Sequence, residues 1–319
     1  AIVFMLLAAY SVEIGKRALE EAVGSESMEL TRHFALTVDR GIYSKLHELI
    51  IISLGNNMRS ILNASNAEFD AMADPELYVD QQDAEWTSVP ETELSPLMEA
   101  ILADDLSVDL INRLHLHYIS EHGIDVYGEV LVTNKYGAVV AMTSRTQDYR
   151  QDDEAWWQAA RDNGSCVGEL ELDVSGKAYG IPISIGVLNA EGDFIGVMRA
   201  FVGATELVME AQVEFTVFET TEFDIITPDL RLIFSTHAFT TYEDVSSKPY
   251  VQKIVGPSGY FISEEAGRER LYSYATSPGY IEYEGSSWLF LMSHDTAEVL
   301  HSTISLQSQI LFVSVLLLL

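Results

Sequence analysis

The chain has 319 residues, 48% of them apolar, enough for one large core or two modest ones. Lys and Arg number 18 against 49 Asp and Glu, a formal charge of −31. That balance excludes a nucleic-acid partner, because a phosphate-binding face needs clustered cations. Only six of the cations are Lys, and an acid-rich, Lys-poor surface suits a protein that stays soluble in high salt. A single cysteine, Cys166, leaves no intrachain disulfide.

Residues 1–10, AIVFMLLAAY, and 310–319, ILFVSVLLLL, are almost wholly apolar. Each is half of the roughly 20 residues that a membrane-crossing helix needs. Two readings compete. One is a leader remnant at one end and a core helix at the other. The preferred one takes 1–10 as the end of a first transmembrane helix and 301–319 as the start of a second, with the domain looped out between them. From Ser11 to Leu62 apolar residues recur at steps of three and four, from Ile14, Ala18 and Ala22 to Leu54, Met58 and Ile61, without a proline. This spacing predicts one long helix, of roughly 75 Å. Residues 63–106 hold Pro75, Pro90 and Pro96 and read as loops with short helices. A further helix is expected over 108–121, stopping at Gly123.

The apolar period then falls to two. EVLVTNKYGAVVAMTS (129–144) reads as a hairpin around Asn-Lys-Tyr-Gly, and GIPISIGVLNAEGDFIGVMRAFVG (180–203) as another around Asn189–Gly192. Between them lies YRQDDEAWWQAARDNG (149–164), in which three acids precede Trp156 and Trp157. A second copy follows at a shift of 93–95. FDIITPDLRLIFSTHAF (223–239) matches 129–145, Trp156 falls on Tyr250, Gly164 on Gly259, and FIGVM (194–198) on SWLFL (287–291). A repeat of this length implies two modules of one design. The fold class expected is α+β: a long N-terminal helix over 11–62, then two tandem PAS-like modules, 63–210 and 211–300, each an antiparallel sheet flanked by helices.

On DYRQDDEAWWQAARDNG (148–164), LDVSGKAYGIPISI (172–185) and GDFIGVMRAFV (192–202), the chain resembles the double Cache sensor domains, over about 11–309. The resemblance implies the extracytoplasmic part of a transmembrane histidine kinase, chemoreceptor or cyclase. It places the first module far from the membrane with the ligand in it, and makes the second relay the signal to the second span. It implies a parallel homodimer along the 11–62 helices. It assigns the pocket wall to Tyr149–Trp157 and the amine contact to an Asp matched by Asp173. Members that bind amino acids carry an Arg two residues before the aromatic pair. Here Glu154 stands in its place, and a carboxylate there repels a ligand carboxylate.

The residues themselves point to a cationic or amine-bearing small molecule. Indole and phenol faces attract cations, by about 0.5–2 kcal/mol each, and Glu154 and Asp173 supply negative charge. The ligand-binding set is therefore Tyr149, Glu154, Trp156, Trp157 and Asp173. Adjacent helical residues point about 100° apart, so only one of the two tryptophans can face a pocket squarely and the other packs in the core. Bland roles compete. Asp152 or Asp153 would cap a helix with Glu154 in its first turn, and Asp173 would stabilise a turn. His115, His117 and His122 would be a polar helix surface, since i and i+2 share no face, so no metal site is expected. Tyr272, Tyr274, Tyr280 and Tyr283 would pack a sheet. Arg199 would pair with Glu169 or Glu171, or face out. No hydrolase, zinc-protease or nucleotide-binding motif is present in the sequence, and neither an enzyme activity nor a cofactor is expected. The function expected is small-molecule sensing, with a membrane-anchored binding or adhesion module as the alternative.

Overall fold

The computed structural model describes residues 2–173, 178–204, 208, 215, 218–265 and 267–299. The expected second span, 301–319, lies outside them. Among the described residues no helix is long and apolar enough to cross a membrane.

Helix α1 runs Ile2–Ser53. It stops short of the expected Leu62. Gly55 adopts an extended conformation and becomes the N-cap of α2 (Asn56–Asp70). The apolar period continues through Met58 and Leu62, but glycine is a poor helix residue and lets the chain turn there. Residues 63–106, read as loops with short helices, hold the rest of α2, then α3 (Pro75–Ser88) and α4 (Pro96–Leu102), with loops between them. Pro75 and Pro96 sit in the first turns of their helices, capped by Asp74 and Ser95. The helix expected over 108–121 begins at α5 (Asp105–Leu110), passes through a π-helical segment over Ile111–Leu116, and ends as α6 (His117–His122). Gly123, left-handed at φ 72°, closes it as its composition predicted.

Contacts divide the chain into two compact units, Ile42–Leu207 and Ala1–Gly41 with Val208–Leu319. The first holds β1 (Tyr127–Asn134), β2 (Val139–Met142), α7 (Ala155–Asn163), β3 (Ser165–Val167), β4 (Glu171–Asp173), β5 (Ala178–Leu188) and β6 (Phe194–Gly203). Its antiparallel sheet has the order β2-β1-β6-β5-β3, with β4 also on β5. The second holds β7 (Glu222–Ile226), β8 (Arg231–Ser235), β9 (Glu243–Asp244), a 3-10 turn at Val251–Lys253, β10 (Ser258–Glu265), β11 (Arg268–Thr276), β12 (Leu289–Asp295) and α8 (Thr296–Val299). Its order is β10-β11-β12-β7-β8-β9. Advancing β1, β2, β5 and β6 by about 94 residues gives β7, β8, β11 and β12. The two sheets therefore share one order, with β9 added in the second.

The repetition reaches single hydrogen bonds. Thr143 donates its backbone N–H to Val130 O, and its hydroxyl accepts from Val130 N. Thr236 does the same with Phe223, 93 residues on. The register slips between Val132 and Thr133 and again between Ile225 and Ile226. The fold class read from the sequence is the one observed.

Each unit has a core of its own. In the first, Phe69, Val79, Trp86, Met98, Leu131, Met142 and Tyr149 pack α2–α4 against the sheet. In the second, Phe34 of α1 meets Phe223 at 4.9 Å and Phe290 edge-on at 5.4 Å, and Thr31 shares a hydrogen bond with Ser273 at 2.7 Å.

Candidate functional site

The segment before α7 is pinned at both edges. Val139 N–H donates to Tyr149 O and Gln151 N–H to Gly137 O, a short antiparallel bridge to the β1–β2 turn. On the other side the N–H groups of Tyr149 and Arg150 both donate to Asp83 Oδ1, at 2.9 and 3.0 Å. Arg150 pairs with Glu76 at 3.0 Å and Asp152 at 2.9 Å, and with Asp80. Asp152 is thus an ion-pair partner and not the helix cap. The N-cap position belongs to Glu154, whose side chain makes no capping bond and is exposed. Neither Asp152 nor Asp153 caps, because the chain is still turning through 151–153 when the helix begins.

The two tryptophans part as their 100° separation requires. Trp157 is 2% exposed and packs on Ala160 and Val197. Its Nε1–H donates to Thr133 Oγ1 at 2.7 Å, and its ring meets Phe194 edge-on. Trp156 is partly buried. Tyr149 is 4% exposed and leans on Trp86, whose indole N–H donates to Thr146 O. Its hydroxyl is held well above the usual phenol range by burial.

Arg199, on β6, is the residue whose role the sequence left open. Its guanidinium lies 4.5 Å from the ring centre of Trp156 and 4.7 Å from that of Phe201, and Nη2 pairs with Glu171 at 3.0 Å. The side chain is 12% exposed. Desolvation holds its pKa below the usual guanidinium value, opposed by the negative charges of Glu171, Glu129 and Glu154. Its Nε finds no hydrogen-bond partner among the described residues. Glu171 thus pairs with this cation beside an indole face, and Glu129 and Glu154 add negative charge to its surroundings. Glu154, Trp156 and Arg199 belong to one cluster, whereas Tyr149 and Trp157 are core residues behind it. Asp173 ends β4, its backbone paired with Ala178; its side chain lies outside the described residues.

The remaining candidates have structural partners. His115 Nδ1 is 2.9 Å from Asp125. Tyr272 and Tyr274 are core residues of β11, while Tyr280 and Tyr283 face each other across an isolated bridge beyond it.

No family model and no curated protein matches the sequence. Solved structures do. The extracellular domain of rpHK1S-Z16, named for a histidine kinase, superposes with a TM-score of 0.51 at 13% identity, over 86% of this chain and 95% of that one. The ligand-binding domain of the Pseudomonas aeruginosa PAO1 amino acid chemoreceptor PctB, in complex with L-Arg, gives 0.49 at 13% identity, over 86% and 96%. That of the Campylobacter jejuni chemoreceptor Tlp3, in complex with 4-methylisoleucine, gives 0.49 at 14%, over 88% and 94%. The first of these establishes a shared fold, an α+β tandem PAS-like arrangement.

Proposed function

We propose that this chain is the extracytoplasmic sensing domain of a transmembrane receptor, and that its first module binds a small amine-bearing molecule. The observation that carries the reading is the cluster at Trp156. Glu129, Glu154 and Glu171 outnumber Arg199 there, so the cluster attracts a further positive charge. Asp173 and Glu154 are the residues proposed to hold the ammonium. Arg199 also meets the objection raised by Glu154, because it returns a guanidinium to the side of the aromatic pair from a different strand.

The receptor reading adds membrane anchoring through both ends, a homodimer along the α1 helices, and relay of the binding event into a second span. A ligand can drive such a relay only by its different affinity for two states. Calorimetric titration with small amines, amino acids and dicarboxylates tests the first part. Trp156→Ala and Asp173→Ala are expected to weaken amine binding at least tenfold, while Trp157→Phe lowers stability and leaves affinity within a few-fold. Tight binding of a dicarboxylate that ignores Asp173→Ala overturns the reading. The relay is tested by fusing the membrane-flanked domain to a kinase output. Ligand-dependent phosphorylation supports a sensor, and binding without any change in output supports the membrane-anchored binding module instead.

A further inference from the structure

The second module contains a cavity of about 440 Å³, floored by β7, β8 and β11. That size is in the range of small-molecule sites. Its aromatic wall is Tyr250 stacked on Tyr272, ring centres 5.2 Å apart and 10° from parallel. Tyr272 is braced from behind by Phe261 at 5.4 Å, and its hydroxyl donates to Glu265 at 2.5 Å. Asp224 adds a second carboxylate, hydrogen-bonded to Ser235. Among the described residues neither Asp224 nor Glu265 is within ion-pair distance of a cation. His237, Lys248 and Arg268 also line the cavity, as does Arg270, 8% exposed, whose guanidinium is held by Glu222 with Asp295 3.5 Å away. Its Nε has no hydrogen-bond partner among the described residues.

The internal repeat shows what is missing. A shift of 94 carries Trp156 to Tyr250 and Glu171 to Glu265, and the shift of 93 that aligns FIGVM with SWLFL carries Arg199 to Met292. Tyr250 and Glu265 line the cavity. In the first module a guanidinium lies over the ring and pairs with the carboxylate. In the second the ring and the carboxylate are kept, no cation stands at the matching strand position, and a cavity is found there. We infer that this cavity is a second binding site, for a small organic cation of the ammonium or guanidinium type, which takes the position that Arg199 fills in the first module. Tyr250, at the end of the stack, supplies cation–π attraction, and Glu265 supplies charge. Burial holds the Asp224 carboxyl above the usual range, the state expected of an acid without its counter-charge.

The site is independent of the one proposed for the first module, and variants separate the two. The whole chain is titrated calorimetrically with n-butylammonium and with agmatine at constant ionic strength, and n-butanol serves as the uncharged control. Glu265→Gln and Tyr250→Leu are expected to weaken one class of site at least tenfold, with circular dichroism confirming the fold. Ser293→Arg, which places a guanidinium in the cavity lining, is expected to abolish that class. Trp156→Ala should leave it within about twofold. Cation binding that survives all three second-module variants in a Trp156→Ala background overturns the inference, as does a single class of site lost in Trp156→Ala alone, or butanol binding as well as butylammonium.

Discussion

Asp39 has no solvent exposure, yet it is a carboxylate on α1. Its oxygens accept from the Ser277 hydroxyl at 2.8 and 2.9 Å and from Gly279 N–H at 2.8 Å, which ties down the turn after β11. Burial outweighs these bonds and raises its pKa from 3.8 to about 6. An acid whose folded pKa lies above its unfolded one binds its proton more readily when folded. Its contribution therefore grows as pH falls from about 6 towards 4 and is lost as pH rises through that window. Asp148, also raised to about 6, acts in the same direction, and His294, lowered to about 4, acts against it. The clean readout is therefore a difference. The stability of the wild type minus that of Asp39→Asn, from urea melts at each pH, should rise by up to about 3 kcal/mol between pH 6.5 and 4. An unchanged difference would show that the carboxyl titrates normally. Asn can still accept from Gly279 N–H, so at pH 7 the variant should be no less stable than the wild type, whereas Asp39→Ala should be destabilised by about 1–3 kcal/mol from the unsatisfied donors.

The β-turns between the first two strands of each module show how far one element can vary within a repeated design. Gly137 N–H donates to Asn134 O in the first, and Leu230 N–H to Thr227 O in the second, 93 residues on. The residue that closes each turn is left-handed, Gly137 at φ 76° and Leu230 at 63°. A Cβ on Gly137 would stand 2.5 Å from the backbone nitrogen of Asp152, so the segment leading into α7 has no room for a side chain there. Leucine fits the second turn at a backbone cost of about 1–2 kcal/mol. Gly137→Ala should incur the same cost plus the overlap, lowering the melting temperature by about 5 °C or more and weakening any ligand held at Trp156. Leu230→Asn should be tolerated, since Asn accepts this conformation, and a larger loss there than at Gly137 would refute the argument. The repeat itself was readable because strand period and turn chemistry are local. The break of the first helix at Gly55 was not, because Leu54 before it and Met58 and Leu62 after it keep the apolar spacing. At the site, the parting of Trp156 from Trp157 followed from helix geometry alone. The role of Arg199 did not, because it depends on which acid and which ring a neighbouring strand and helix bring beside β6.

On the scale of the whole chain, 18 cations against 49 acids leave 31 negative charges uncompensated. More than half of the cations are already in ion pairs among the described residues, and the exposed pairs contribute about 0–1 kcal/mol each. Folding crowds the excess carboxylates together, whereas the unfolded chain spreads them apart, so repulsion favours unfolding. Salt weakens this term: the screening length falls from about 10 Å at 0.1 M to about 3 Å at 1 M. The melting temperature should therefore rise by about 5 °C or more between 0.05 and 1 M NaCl, with most of the gain below about 0.5 M, where screening changes fastest. The same salt should weaken the exposed pairs, but with so few cations that loss is the smaller term. Amine binding at both proposed sites should weaken over the same range, less than surface pairs do, because Trp156 and the Tyr250–Tyr272 wall shield their carboxylates from ions. Scanning calorimetry at stepped NaCl concentrations checks the stability claim. A melting temperature that falls with salt, or one that climbs linearly to several molar with no early rise, would show that charge crowding is not what limits this fold.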